Sequence, residues 1–156
     1  MRKNSAKGIA PNPLARARLI FNAIAAVVAL AGLADATYLT VAHVAGDSSV
    51  CGPSQPCAVV LGSTYEQIAG IPTAAFGVIA YFSAFSAATL AAFGYPRART
   101  FLIVIVAAMF AFTLWLLYLQ AFILHAFCPF CLLSAAFTFC LAGLTLATPP
   151  DSSRDF

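Results

Sequence analysis

Five cysteines punctuate the chain, and four of them are spaced for redox chemistry. Cys128 and Cys131 form Cys128-Pro129-Phe130-Cys131 at the head of an uninterrupted apolar run. A cysteine at a helix start meets backbone N–H groups that have no carbonyl partner and the positive end of the helix dipole, and both stabilise a thiolate. Pro129 suits the first helical turn, where a missing N–H costs nothing. Two sulfurs three positions apart at such a point close into an exchangeable disulfide, a pair suited to cycling more than to stapling. Cys51 and Cys57 form a second pair in a long polar loop. Thiol–disulfide exchange runs by thiolate attack through a mixed disulfide, so a loop pair beside a helix-start pair makes a relay. Four cysteines allow three connectivities, and spacing alone leaves all three open. A four-cysteine zinc site and two inert structural disulfides are the competing readings. Cys140, more than two turns further along the last helix, reads as a small packed hydrophobe.

The elements that carry these sulfurs are membrane helices. Hydrophobic residues make up 62% of the chain and charged residues 8%, against about 25% charged in ordinary soluble proteins. With so few charges the fold needs lipid as its solvent. A hydrocarbon core about 30 Å thick takes about 20 helical residues to cross, and stretches near 19–45, 74–93, 101–124 and 129–147 meet or approach that length. The fold class is an all-α membrane protein, a bundle of four transmembrane helices. The first stretch is too long for a secretory signal and reads as a retained helix.

Charge placement orients the bundle. Arg2, Lys3, Lys7, Arg16 and Arg18 precede helix one, Arg97 and Arg99 lie between helices two and three, and Arg154 follows helix four. The loops 46–73 and 125–128 carry no lysine or arginine. The positive-inside rule therefore puts both termini in the cytoplasm and all four paired cysteines outside, in the compartment where bacterial disulfides persist. The net charge of +3 is topological and does not point to nucleic acid.

Three regions follow: a basic arm at 1–17, a membrane domain at 18–148 and a short tail at 149–156. The loop 46–73 is long enough to have a task of its own. Its stretch Ala58–Ala69 is expected to form a half-helix on the membrane surface, ended by Gly70-Ile71-Pro72. Asp35, an acid within or near the end of a membrane helix, is a functional suspect or an interfacial cap. His43 and His125 are expected near the outer surface.

In this order and spacing, several segments resemble the bacterial members of the vitamin K epoxide reductase family. They are Gly32-Leu33-Ala34-Asp35-Ala36-Thr37-Tyr38-Leu39, Cys51 and Cys57, Ser63, Gly70-Ile71-Pro72, Ala75-Phe76-Gly77-Val78-Ile79-Ala80-Tyr81 and Cys128-Pro129-Phe130-Cys131-Leu132-Leu133-Ser134. The resemblance covers roughly residues 30–140. It implies a quinone, ubiquinone or menaquinone, bound inside the bundle and capped by the loop. It implies that Cys131 faces the quinone and that Cys128 exchanges with the loop. Cys57 would attack Cys128, Cys51 would meet an external partner, and Ser63 would sit near the active disulfide. Two positions depart from the family pattern. Ala135 stands where some members have tyrosine and Thr73 where some have asparagine, which makes reduction of a quinone epoxide the lesser expectation.

The activity implied is oxidation of a periplasmic thioredoxin-fold protein coupled to reduction of a membrane quinone at a bacterial inner membrane. Many bacterial relatives carry a fused thioredoxin-like domain; this chain ends at Phe156 without one, so the dithiol donor is expected to be a separate protein. Phe76, Tyr81, Trp115 and Phe130 are the expected walls of the quinone site, with Thr73 and Ser63 as hydrogen-bond donors. The alternatives are a quinone or quinone-epoxide reductase, and a non-catalytic membrane module whose cysteines are structural or metal-binding.

Overall fold

The computed structural model describes residues 13–46, 59, 60, 62, 67, 68 and 70–149. Helix α1 spans Pro13–Ala45, α2 Thr73–Ala92, α3 Pro96–Tyr118 and α4 Pro129–Ala147. A π-helical turn, Leu119–Ile123, continues α3. Among the described residues these four helices are long and apolar enough to cross a membrane, and the chain is a four-helix membrane bundle. Antiparallel neighbours follow from the short links: Gly94, at φ +90°, turns the chain between α2 and α3, where a side chain would be strained.

Two helices begin earlier than the hydropathy suggests, α1 at Pro13 rather than near 19 and α3 at Pro96 rather than 101. Each starts on a proline, which is preset for a first helical turn, and the residues that follow, Leu14-Ala15-Arg16 and Arg97-Ala98-Arg99, are good helix formers despite their charge. Part of the expected arm is therefore helix. The half-helix expected over Ala58–Ala69 is corrected at its far end. Val59 and Val60 are helical, but Gln67–Ile68 is a strand (β1) paired antiparallel with Ile71–Pro72 (β2). Gly70, at φ +81°, supplies the left-handed conformation that a tight link requires, and β-branched Ile68 and Ile71 face each other across it. Residues 58, 61, 63–66 and 69 lie outside the described residues.

Small residues decide how the helices meet. In lipid no hydrophobic force pulls helices together, so association depends on close packing and interhelical hydrogen bonds. Ala25, Ala29, Gly32 and Ala36 form a buried stripe on α1 against Tyr81, Ala84 and Ala88 of α2. A Cβ at Gly32 would overlap the Tyr81 ring, lying 2.6 Å from Cδ1. The Tyr81 hydroxyl crosses the bundle, donating to the Ser134 carbonyl at 2.7 Å and lying 2.9 Å from Ser134 Oγ and 3.1 Å from Thr138 Oγ1 on α4. Other helix hydroxyls turn back on their own backbone, as with Thr40 to Ala36 and Ser83 to Ile79, which satisfies each donor within its own helix.

Each end of the bundle is tied off. Arg99 donates to the carbonyls of Thr148 and Pro149 at the C-terminal end of α4, a favourable place for a cation. At the opposite end a Gln67 amide N–H donates to His43 Nε2 at 3.4 Å, and Tyr38 packs on Phe130 with ring centroids 5.9 Å apart. The hairpin, the end of α1 and the start of α4 thus share one end.

Replacing Gly32 with alanine is expected to cost about 1–3 kcal/mol, the usual penalty for forcing a methyl into a filled contact. Gly143, around which a Cβ meets nothing within 4 Å, is the control. Thermal unfolding in detergent should show a drop in Tm for Gly32→Ala and none for Gly143→Ala.

Candidate active site

Cys128 is the N-cap of α4, at φ −84° and ψ 121°. Pro129 enforces that extended conformation, since a residue before proline is steered away from helical angles. The helix ladder begins immediately, with the Leu132 N–H donating to the Cys128 carbonyl at 3.0 Å. The Cys128 side chain is buried, and it clusters with Val60 of the loop and Ala126, flanked by Leu124, Phe130 and Cys131. Cys131 is half-buried, and both are held as thiols.

The Cys128 thiol is pulled down from 9.0 to about 6. The Cys131 thiol, donating to it, is the largest cause; burial opposes, and the N–H groups of Phe130 and Cys131 add to the lowering. The negative charge of Asp35 acts against the thiolate. A helix start thus does here what its free N–H groups do elsewhere for reactive cysteines.

A turn further along α4, Cys131 opens on a cavity of about 520 Å³ between the helices, within the size range of small-molecule sites. Leu39, Phe76, Met109, Phe112 and Leu116 give it apolar walls. Its polar groups are Thr73 from the start of α2, Tyr81 and Ser83 further along it, Thr113 and Gln120 from α3 and the turn that continues it, and Ser134 and Thr138 from α4. Asp35 also lines it, and its Oδ2 atom is buried without a hydrogen-bond partner. Asp35 is the one carboxylate residue among the described residues. A flat apolar ring with two oxygens and a hydrocarbon tail fits this cavity. The walls match the chemistry of ring and tail, the hydroxyls of Thr73 and Ser134 match that of the oxygens, and Asp35 Oδ2 is a buried acceptor without a partner.

Of the residues expected at the site, Thr73, Phe76, Tyr81 and Cys131 come together on the cavity. Trp115 does not. It is 54% exposed and stacks on Tyr118, with centroids 6.1 Å apart, because the inward face of α3 runs through Met109, Phe112 and Leu116 and leaves Trp115 toward lipid. Phe130 also lies off the cavity wall. It packs on Tyr38 and the Cys128 cluster at the rim. Cys51, Cys57 and Ser63 lie outside the described residues. His125 is exposed, as expected, whereas Cys140, expected to be packed, is exposed on the outer face of α4.

Gln120 was not foreseen, nor was the hydroxyl cluster of Ser134 and Thr138. Gln120 is 3% exposed, lines the cavity and accepts the Cys128 N–H on Oε1 at 3.2 Å. Its signal in the sequence was present: an amide in an otherwise apolar membrane segment must find a partner inside the protein.

The model of the vitamin K epoxide reductase family matches residues 23–146. The chain belongs to that family. It is therefore a membrane oxidoreductase of a generally quinone-linked kind, and the matched span runs from α1 through the cavity to α4.

The balance of effects on Cys128 is directly measurable. Alkylation of Cys128, resolved by peptide mass analysis, should accelerate with pH through about 6. Cys131→Ala removes the largest stabilising donor and should move that midpoint up, toward the ordinary thiol range. Asp35→Asn removes an opposing charge and should move it down.

Proposed function

We propose that this vitamin K epoxide reductase family member is a thiol:quinone oxidoreductase that reoxidises a thioredoxin-fold, disulfide-forming protein outside the cytoplasmic membrane of a bacterium. The observation that carries this reading is the two-sidedness of the helix-start pair. Cys131 opens on the cavity, whereas Cys128 is turned to the loop side, packed with Val60. Val60 follows Cys57 by only three residues, a stretch of chain that spans at most about 11 Å. A link that short is consistent with Cys57 as the sulfur that exchanges with Cys128. The distribution of lysine and arginine supports an outer location for this end and cytoplasmic termini.

The partner's dithiol reduces a Cys51–Cys57 disulfide and leaves as a disulfide. The Cys57 thiolate then attacks Cys128 in the Cys128–Cys131 disulfide, forming Cys57–Cys128 and releasing Cys131 as a thiolate facing the cavity. Thiolate stabilisation at the helix start favours this opening, because a better-stabilised thiolate makes its disulfide easier to reduce. A bound quinone, ubiquinone or menaquinone, supplies the acceptor for two electrons and two protons. Loss of these from Cys131 and Cys51 leaves Cys51–Cys57 and Cys128–Cys131 both closed. Thr73 and Ser134 would hold the ring oxygens, and the walls around Phe76 and Phe112 would keep water from the exposed sulfur.

Trapping tests the route. In Cys131→Ala, acid quench and alkylation should reveal a Cys57–Cys128 disulfide and no quinone reduction. In the unaltered protein, each quinone reduced should consume one partner dithiol. Failure to find any disulfide between the two pairs would sink the relay.

A further inference from the structure

The connection from α3 to α4 is built around one side chain. The π-helical turn Leu119–Ile123 closes with Leu124 N–H donating to the Leu119 carbonyl at 2.8 Å, five residues back. Such turns insert an extra residue, re-aim the side chains around them and recur at functional sites. Here the turn holds Gln120 facing inward, almost wholly buried. Its main-chain carbonyl accepts the Ala126 N–H at 3.2 Å, and its side-chain Oε1 accepts the Cys128 N–H, also at 3.2 Å. Immediately before the first of these anchors His125 is bent into the left-handed region, φ +47°, a conformation a non-glycine residue holds only when its surroundings impose it.

The N–H of an N-cap residue lies outside the helix ladder and must be satisfied elsewhere. Gln120 is the group that satisfies it for Cys128. The N–H groups of Phe130 and Cys131 act on the Cys128 sulfur only if Cys128 keeps its angle to the helix. That angle is fixed on one side by Pro129 and on the other by the bond to Gln120.

We propose that Gln120 is a positioning residue for the sulfur chemistry: by clamping Ala126 and Cys128 to the end of α3, it holds the Cys128 sulfur over the start of α4 and so sets how readily the Cys128–Cys131 disulfide is reduced. The inference rests on the proposed function only in taking that couple as the exchanging one. The titratable groups among the described residues that act on Cys128 are Cys131 from α4 and Asp35 from α1. The clamp itself is neutral, so it can hold the thiolate's backbone without adding a charge against it.

The test needs no quinone and no partner. Full-length protein in detergent is compared with Gln120→Met, which keeps the bulk and loses the acceptor, and Gln120→Glu, which keeps an acceptor. Three quantities are read: amide hydrogen exchange at Cys128 and Ala126, the pH profile of Cys128 alkylation, and the Cys128–Cys131 dithiol–disulfide equilibrium in a glutathione buffer. In Gln120→Met, exchange should quicken at Cys128 while Ala126, held by the main chain, stays protected. The alkylation midpoint should rise by about one pH unit and the equilibrium should move about tenfold toward the disulfide, as loss of thiolate stabilisation requires. Gln120→Glu should keep Cys128 protected yet raise the midpoint, because a carboxylate then stands beside the sulfur. Faster exchange at Cys128 with unchanged midpoint and equilibrium would show a merely structural bond and overturn the proposal. If Gln120→Met fails to fold, Gln120→Asn, whose shorter amide draws the acceptor away from the Cys128 N–H, takes its place, and faster exchange at Cys128 with an unmoved midpoint overturns the proposal equally. Absence of quinone turnover in the unaltered protein would count against the proposed function and leave these readings unaffected.

Discussion

Tyr81 is the tie on which the bundle turns. Its ring lies where only a glycine on α1 leaves room, over Gly32, and its hydroxyl ends on Ser134 and Thr138 of α4. One side chain therefore sets the spacing of three helices. In lipid this matters more than in water, because apolar surface alone gives helices little reason to choose one another. A phenol that must bury its hydroxyl can choose only where oxygens await it. Ser134 is one turn beyond Cys131, so the same bond that joins α2 to α4 fixes the floor of the cavity beneath the sulfur. The position of the chemistry is inherited from the packing.

Above that floor, the start of α4 balances opposing demands. Burial of Cys128 disfavours a thiolate, and the charge of Asp35 disfavours it further, yet the thiol is held near 6. What outweighs them is local and neutral: a neighbouring thiol and two backbone N–H groups, effective only at hydrogen-bond range. Such donors act without bringing a cation into a membrane, where it would be expensive. Their dependence on angle is why the connection from α3 is strained at His125 and anchored at Gln120.

The four helices, their order and the CxxC at a helix start were all legible in the sequence, because hydropathy and proline placement act locally. What was missed has physical causes. Hydropathy misplaced the starts of α1 and α3, since it reads Arg16 and Arg97 as breaks, whereas helix propensity does not. A mixed polar and apolar stretch before Gly70 suggested a half-helix, but Gly70 at positive φ favours a hairpin over its last residues. Trp115 is an apolar aromatic like the true wall residues; which face it occupies depends on the phase of α3, which composition does not reveal. The π turn at Leu119–Ile123 was illegible because no residue type demands it. It exists through the bonds it makes to a segment eight residues on.

The spacing of the pair gives the site its direction. Cys128, at the N-cap, lies outside the hydrogen-bond ladder and keeps its backbone N–H for a partner from another helix. Cys131, in the first turn, lies inside the ladder and is carried around the helix to the cavity side. Two sulfurs close enough to bond thus face different surroundings, one a loop and the other an apolar chamber. A pair in this position presents one sulfur to the loop side and the other to the cavity. No domain motion is required for that separation; the first turn of α4 supplies it.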